Sequence, residues 1–217
     1  MKFQSEIDLV ETLKLSIKDF YNREYLRIFQ EVSLGYGIAD IVVSDVKHYQ
    51  DRSSSIGETL NGNDVNVLDL IQNSGGAATE EIISATGCSK KSIQTSLKRL
   101  IERGYLQESG GAYQLNKHYT MVFRNNYAIE AKLKDWKRAL KQAYRYRWFA
   151  EYAFVVLDTY YSSIAIKNIS LFKKYNVGLA SISVDGVLQR HFNPKRNQPF
   201  DRKMQMLFSE KVMQSCI

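Results

Sequence analysis

Apolar residues recur along the chain with two periods, and the switches between them lay out its elements. Over residues 5–22, Ile7, Leu9, Val10, Leu13, Leu15, Ile17 and Phe20 fall at helical spacing behind Ser5, a side chain suited to capping the first turn. Two extended runs follow, 25–33 and 38–44, divided by Gly35-Tyr36-Gly37, and the second is rich in β-branched residues. Residues 50–64 turn polar and read as a boundary. Beyond it, 65–118 reads as a self-contained module. It begins with short helices at 65–72 and 79–86. A third helix, capped by Ser89, runs to about residue 103, where Gly104 stops it. A hairpin then pairs Tyr105-Leu106-Gln107 with Ala112-Tyr113-Gln114-Leu115 around Gly110-Gly111.

Downstream, the pattern predicts a strand at 127–132, a very basic helix at 135–151 and a buried strand at 152–157. A helix at 164–175 and a strand at 177–184 follow, then a basic loop holding Arg190, Lys195 and Arg196, and a final helix. Without residues 64–118 the order is α-β-β-β-α-β-α-β, an α/β sandwich pattern. The module is then an insertion between the second and third strands, tolerated because lengthening a loop adds little closure entropy. The chain divides into 1–62, 63–118 and 119–217, the first and last forming one core.

Composition narrows the function classes. In 217 residues, 44% are hydrophobic and 24% charged, which excludes a disordered or collagen-like chain. Two cysteines, Cys88 and Cys216, exclude a disulfide framework and a Cys-rich zinc site, and His48, His118 and His191 are too scattered for a helical metal pair. No phosphate-binding GxxxxGK[ST] and no GxGxxG is present. No run reaches the ~18 apolar residues of a membrane span, and the first residues lack a signal-peptide core, so a cytoplasmic protein without a membrane partner is expected. Thirty Lys and Arg against 23 Asp and Glu give a net charge of +7, which favours polyanionic partners, nucleic acid first.

The placement of that charge sharpens the expectation. On the third helix of the inserted module, Ile93, Leu97, Leu100 and Ile101 form an apolar stripe. Ser89, Lys90, Lys91, Gln94, Lys98 and Arg99 lie on other faces, either solvated or turned to a nucleic-acid groove. The helix 135–151 offers Lys137, Arg138, Lys141 and Arg145 for phosphate contacts. Its Trp136, Leu140, Tyr144 and Trp148 serve as a core stripe or, for the aromatics, as stacking surfaces.

Candidate chemistry sits on two strands. Asp40 interrupts Ile38-Ala39-Asp40-Ile41-Val42-Val43, where an unpaired carboxylate is costly to bury. Glu130 and Lys132 share one face of their strand by period-two alternation. Of four acid-x-Lys triplets in the chain, only this one lies on an apolar strand that follows another strand bearing its own Asp. If the two strands are neighbours, Asp40, Glu130 and Lys132 converge; if not, Glu130 and Lys132 are an ordinary surface ion pair. Two carboxylates, with the Ala131 carbonyl between Glu130 and Lys132, suit a hard divalent cation, Mg²⁺ or Mn²⁺. Such a site polarises a phosphate and activates water, with Lys132 orienting or deprotonating that water or offsetting transition-state charge.

Two resemblances attach to these residues. The order of helices and hairpin in 63–118, with Ser89-Lys90-Lys91-Ser92-Ile93 and Leu97-Lys98-Arg99-Leu100-Ile101 leading to Gly104-Tyr105-Leu106, resembles a winged helix–turn–helix domain, which implies DNA or RNA contact or a protein-binding role. Gly35 to Asp40 followed by Ile129-Glu130-Ala131-Lys132 resembles the PD-(D/E)xK nuclease superfamily. That resemblance implies a restriction-endonuclease-like mixed sheet flanked by helices. It also implies a metal site at Asp40 and Glu130, with Lys132 as catalytic partner. Gln142 and Tyr146 resemble the QxxxY motif of exonuclease-like members, and Glu6 a supporting acid on the first helix of archaeal junction resolvases. The Pro often preceding the first Asp is Ala39 here.

The expectation is therefore a divalent-metal-dependent nuclease acting on duplex or branched DNA, targeted by the inserted module, in repair, recombination, mobile-element processing or defence. Competing expectations are a non-catalytic winged-helix transcription regulator, an RNA-directed nuclease and an inactive scaffold. A homodimer is expected if two strands need two sites.

Overall fold

The computed structural model describes residues 1–20, 25–35, 37–47 and 59–214. Tyr36 of the Gly-Tyr-Gly turn, most of the polar boundary 50–64, His48 and Cys216 lie outside them. The chain forms two compact units, residues 1–48 with 123–202, and 49–122 with 203–217.

The first unit is α/β, built on a mixed six-stranded sheet. Helix α1 (Glu6–Phe20) begins where Ser5 Oγ accepts from the Asp8 N–H and Asp8 Oδ2 accepts from the Ser5 N–H, each at 3.1 Å. This reciprocal cap satisfies two backbone donors that a helix start otherwise leaves open. Strands β1 (Leu26–Ser33) and β2 (Ile38–Val46) pair antiparallel. Strand β5 (Phe123–Lys132) pairs antiparallel with β2, across the whole inserted segment. Helix α5 (Trp136–Arg145) crosses to β6 (Tyr152–Asp158), and α6 (Ser163–Lys167) and α7 (Ile169–Tyr175) cross to β7 (Gly178–Ile182). β5, β6 and β7 run parallel, and β8 (Leu188–Phe192) closes the far edge antiparallel, giving the order β1-β2-β5-β6-β7-β8.

Alternation divides the sheet into two faces. Ile41, Val43, Ile129, Ala131, Val156, Ala180 and Ile182 pack with Leu9, Leu13 and Ile17 of α1. The opposite face, on which α5 packs, carries Ala128, Glu130, Val155, Leu157 and Leu179. On the α1 side Gly178 sits beside Phe154, and a Cβ there would lie 2.2 Å from the ring. Gly178→Ala should therefore cost about 1–3 kcal/mol by overpacking. A melting temperature equal to the parent's would refute that.

Three sequence expectations change here. The helix expected over 135–151 ends at Arg145 in a 3₁₀ turn, Tyr146–Trp148. The helix expected over 164–175 is broken at Asn168, whose N–H bonds the Ala165 carbonyl in the tighter three-residue spacing. The stretch read as a basic loop contains β8, an edge strand whose exposed Gln189 and Arg190 hide its alternation.

The second unit holds α2 (Gly62–Ser74), α3 (Thr79–Thr86), α4 (Lys90–Glu102) and the hairpin β3 (Leu106–Ser109)–β4 (Ala112–Leu115). Ser89 caps α4 as expected, accepting from the Ser92 N–H. Val65, Leu68, Ile71, Ile82, Ile93 and Leu100 are fully buried in one core. Helix α8 (Arg202–Gln214) belongs here from Lys203 onward, not with the first unit where the sequence division at 118/119 places it. The reason is local: Met206 is buried in this core, and Glu210 accepts from the Leu60 N–H at 2.8 Å and from the Tyr119 hydroxyl at 2.6 Å. Among the described residues no helix is long and apolar enough to cross a membrane.

Candidate active site

The antiparallel register of β2 and β5 brings the two halves of the acidic pattern together. Ile41 pairs with Ile129, so Asp40 stands opposite Glu130 one residue beyond the last ladder pair. The Ala131 N–H donates to Asp40 Oδ2 at 2.7 Å, fixing the carboxylate at the strand junction. Glu130 is fully buried. Lys132, two residues on and therefore on the same face, places Nζ 3.0 Å from Glu6 Oε2 and 3.2 Å from Glu130 Oε1. The second approach is an ion pair without good hydrogen-bond alignment.

The QxxxY pair arrives from the same side. Tyr146 follows α5 and donates to Glu130 Oε2, and its oxygen is also 2.6 Å from the Ile38 carbonyl. One phenolic proton cannot serve both acceptors fully. The hydroxyl is therefore shared between the Glu130 carboxylate and the Ile38 carbonyl. Residue 37 is a glycine at φ +127, a backbone conformation that L side chains rarely adopt, and a Cβ there would lie 3.8 Å from the Tyr146 ring, in ordinary contact. Gln142, one turn earlier, is half-buried, and its Oε1 is a buried acceptor with no donor.

Electrostatics follow from burial. Asp40 is pushed above its ordinary value by burial, opposed by the Ala131 N–H and Lys132 and reinforced by Glu6 and Glu31. Glu130 is pushed up by burial, opposed by the Tyr146 hydrogen bond, reinforced by Asp40 and opposed by Lys132. Burial alone would lower Lys132, but the Glu6 hydrogen bond and the charges of Asp40, Glu130 and Glu6 outweigh it, so the ammonium is held above its usual range. Tyr146 is raised by burial and by Glu130 and stays protonated. A buried and a half-buried carboxylate held up against one ammonium form a site that gains from additional positive charge.

Sequence reasoning missed Glu31. It lies between the pairs Gln30–Ile41 and Val32–Ala39, hence across from Asp40, in a left-handed conformation with φ 49 that strand alternation does not signal. It also missed the buried layer behind Glu130 on the same strand face. There Ser44 Oγ donates to Asn126 Oδ1 at 2.8 Å, and Glu151 Oε2 accepts from the Asn126 N–H at 2.7 Å. Glu151 and Asn126 thereby fix β5 just before its ladder with β6 begins at Tyr127.

The candidate nucleic-acid residues divide. Lys137, Arg138, Lys141 and Arg145 are exposed on α5. Of the alternative core stripe, Trp136 and Leu140 are buried, while Tyr144 is exposed. On α4, Lys90, Lys91, Gln94 and Lys98 are exposed, and Ser89 is engaged as the cap. Arg99 turns inward: Nη1 lies 2.6 Å from Oδ2 of the fully buried Asp64. Its guanidinium is committed to a buried carboxylate, so it is placed as a structural residue and not as a groove contact.

Among the described residues no group of three or more His, Cys, Asp or Glu side chains is arranged to hold a metal. What the site offers is the Asp40–Glu130 pair and the Ala131 carbonyl. Hard oxygen donors in that number fit a Mg²⁺ or Mn²⁺ ion that keeps several waters. Comparison with known protein families matches none of them, and comparison with curated proteins returns no match.

Proposed function

We propose that this chain is a divalent-metal-dependent nuclease that hydrolyses DNA phosphodiester bonds. On this reading the first unit is a restriction-endonuclease-like core of the PD-(D/E)xK type, and the second a winged-helix targeting module. The observation that carries the reading is the convergence of Asp40, Glu130 and Lys132 on one sheet face, with Tyr146 holding Glu130 from the adjoining helix.

Asp40 and Glu130, with the Ala131 carbonyl, would hold Mg²⁺ or Mn²⁺. When bound, that ion supplies charge neutralisation at the scissile phosphate and a lowered pKa for coordinated water. The chain's own residues do the rest. The Ala131 N–H and the Tyr146 hydroxyl fix the two carboxylates. Lys132, kept as an ammonium, offsets charge on the transition state; it holds no free lone pair for deprotonating water. Glu6 positions Lys132. The open acceptor of Gln142 can take a hydrogen bond from water or substrate. Lys90, Lys91, Gln94 and Lys98 supply targeting contacts.

The test is cleavage of linear, supercoiled, single-stranded and branched DNA, and of RNA, with Mg²⁺, Mn²⁺ or EDTA. Lys132→Ala should lower the rate about a hundredfold or more, as removal of one preorganised charge does, with nucleic-acid binding intact. Metal-dependent cleavage confined to RNA would move the reading to an RNA nuclease. One observation favours a non-catalytic DNA-binding regulator: among the described residues no group of three or more His, Cys, Asp or Glu side chains is arranged to hold a metal. Binding without cleavage of any substrate, unchanged in Lys132→Ala, would establish that alternative.

A further inference from the structure

Three exposed aromatic rings meet on the outer surface of the first unit. Tyr144 of α5, Tyr175 at the end of α7 and Phe200 are 38%, 38% and 49% exposed. Large rings at that exposure are ordinary when scattered. These are not scattered: Tyr144 packs edge-on against Tyr175 at 5.6 Å between centroids and lies 6.4 Å from Phe200. Arg147 fixes the cluster. Its guanidinium lies 5.2 Å over Tyr144 and 4.7 Å over Phe200, and it donates to the Tyr175 carbonyl and Asn197 Oδ1. The rings are thus held in place with part of each surface open.

The surroundings are cationic. Across 134–148, 163–176 and 193–202 there are twelve Lys and Arg against Asp135 and Asp201. Asp135 is committed to capping α5. The loop at 195–197 is bound to the end of α7, where Asn176 Oδ1 accepts from the Lys195 N–H at 2.8 Å and Asn176 donates to the Lys195 carbonyl at 2.9 Å. These contacts join α5, the end of α7 and this loop at the three rings, and all three segments carry Lys and Arg.

We propose that this surface binds single-stranded nucleic acid, stacking unpaired bases on Tyr144, Tyr175 and Phe200 while the surrounding Lys and Arg track the phosphates. A duplex hides its base faces and gains nothing from exposed rings, whereas an unpaired strand offers a π-face at every nucleotide. This deepens the nuclease reading by naming the strand the core handles, and it rests on that reading's premise that the core contacts nucleic acid. Tyr144 is two residues from Tyr146, so the surface and the candidate site share one helix end.

The experiment uses the full chain in EDTA, where binding is separate from cleavage. Anisotropy is measured with labelled oligo(dT), oligo(U), an abasic strand of equal length and a duplex of equal length. The parent should bind oligo(dT) or oligo(U), or both, more tightly than the abasic strand. Tyr144→Ala, Tyr175→Ala and Phe200→Ala should each weaken that binding roughly 5- to 100-fold, leave the duplex and abasic strand unchanged, and be rescued by Tyr144→Phe or Tyr175→Phe. Equal affinity for abasic and base-bearing strands would overturn the proposal. So would aromatic variants that bind single strands like the parent, or that lose duplex binding in parallel. Cleavage in Mg²⁺ is scored separately, so a binding surface without a working nuclease site is told apart from the absence of both.

Discussion

Glu130→Gln should lower Mg²⁺-dependent cleavage by a factor of about 1,000 or more, and the metal-free variant should melt higher than the parent. The first effect follows from losing one of two carboxylate ligands at a site whose cation is worth several kcal/mol of transition-state stabilisation. The second follows from the balance of charges. Asp40, Glu130 and Glu6 act on the one ammonium of Lys132, Glu31 adds its charge against Asp40, and Glu130 is fully buried. A neutral amide of the same shape removes a desolvated charge and leaves an acceptor for Tyr146, a gain of about 1 kcal/mol. The sign with pH is fixed by direction. Glu130 is raised above its ordinary 4.5, so its contribution to stability is full below that value and is lost as pH rises through its raised value. The parent's metal-free melting temperature should therefore fall relative to the variant's over that rise, and added Mg²⁺ should close the gap at neutral pH. Calorimetry on both proteins across pH, with and without Mg²⁺, reads this directly. A variant that melts lower at neutral pH, or that cleaves at the parental rate, contradicts the account.

Arg99→Ala should destabilise the second unit by about 3–5 kcal/mol, the cost of leaving a buried carboxylate without its counterion. Asp64 is fully buried, its Oδ1 has no donor, and its Oδ2 takes the Asn61 N–H at 2.8 Å and Arg99 Nη1 at 2.6 Å. Asp64→Asn combined with Arg99→Ala should recover much of the loss, because the stranded charge goes with its partner. Lys98→Ala, one position earlier and 78% exposed at the side chain, should leave the melting transition in place and weaken only nucleic-acid binding. Denaturant titrations of the four proteins separate the two roles. Weakened DNA binding in Arg99→Ala without loss of stability would return that residue to the groove.

The contrast between these neighbours shows what the sequence could disclose. Both are basic residues on α4, but Lys98 faces water while Arg99 meets an acid on α2, a long-range pairing that helical periodicity does not encode. Local patterns carried much of the architecture: β-branched alternation placed β2, Ser89 placed the start of α4, and Gly110-Gly111 placed the hairpin tip. They carried the candidate site as well, because an Asp and an acid-x-Lys on apolar strands are costly unless brought together. The misses have physical reasons. β8 is a sheet edge with one solvated flank, so its sequence reads as loop. α5 ends in a 3₁₀ turn because Tyr146 is drawn to Glu130 and Ile38, both distant in sequence. Met206 and Phe208 mark α8 as a packed helix without saying which core it enters.

That last ambiguity has a consequence for how the chain is made. The second unit is completed by α8, which is synthesised after every strand of the first unit. Until α8 emerges, the Leu60 N–H and Tyr119 hydroxyl lack their Glu210 acceptor, and the pocket for Met206 stands open. The first unit's strands are all available before that moment, so on the ribosome the α/β core can mature first, while the inserted module waits for α8. A chain cut after residue 202 would leave that unit permanently in its nascent form, with an apolar opening where α8 belongs.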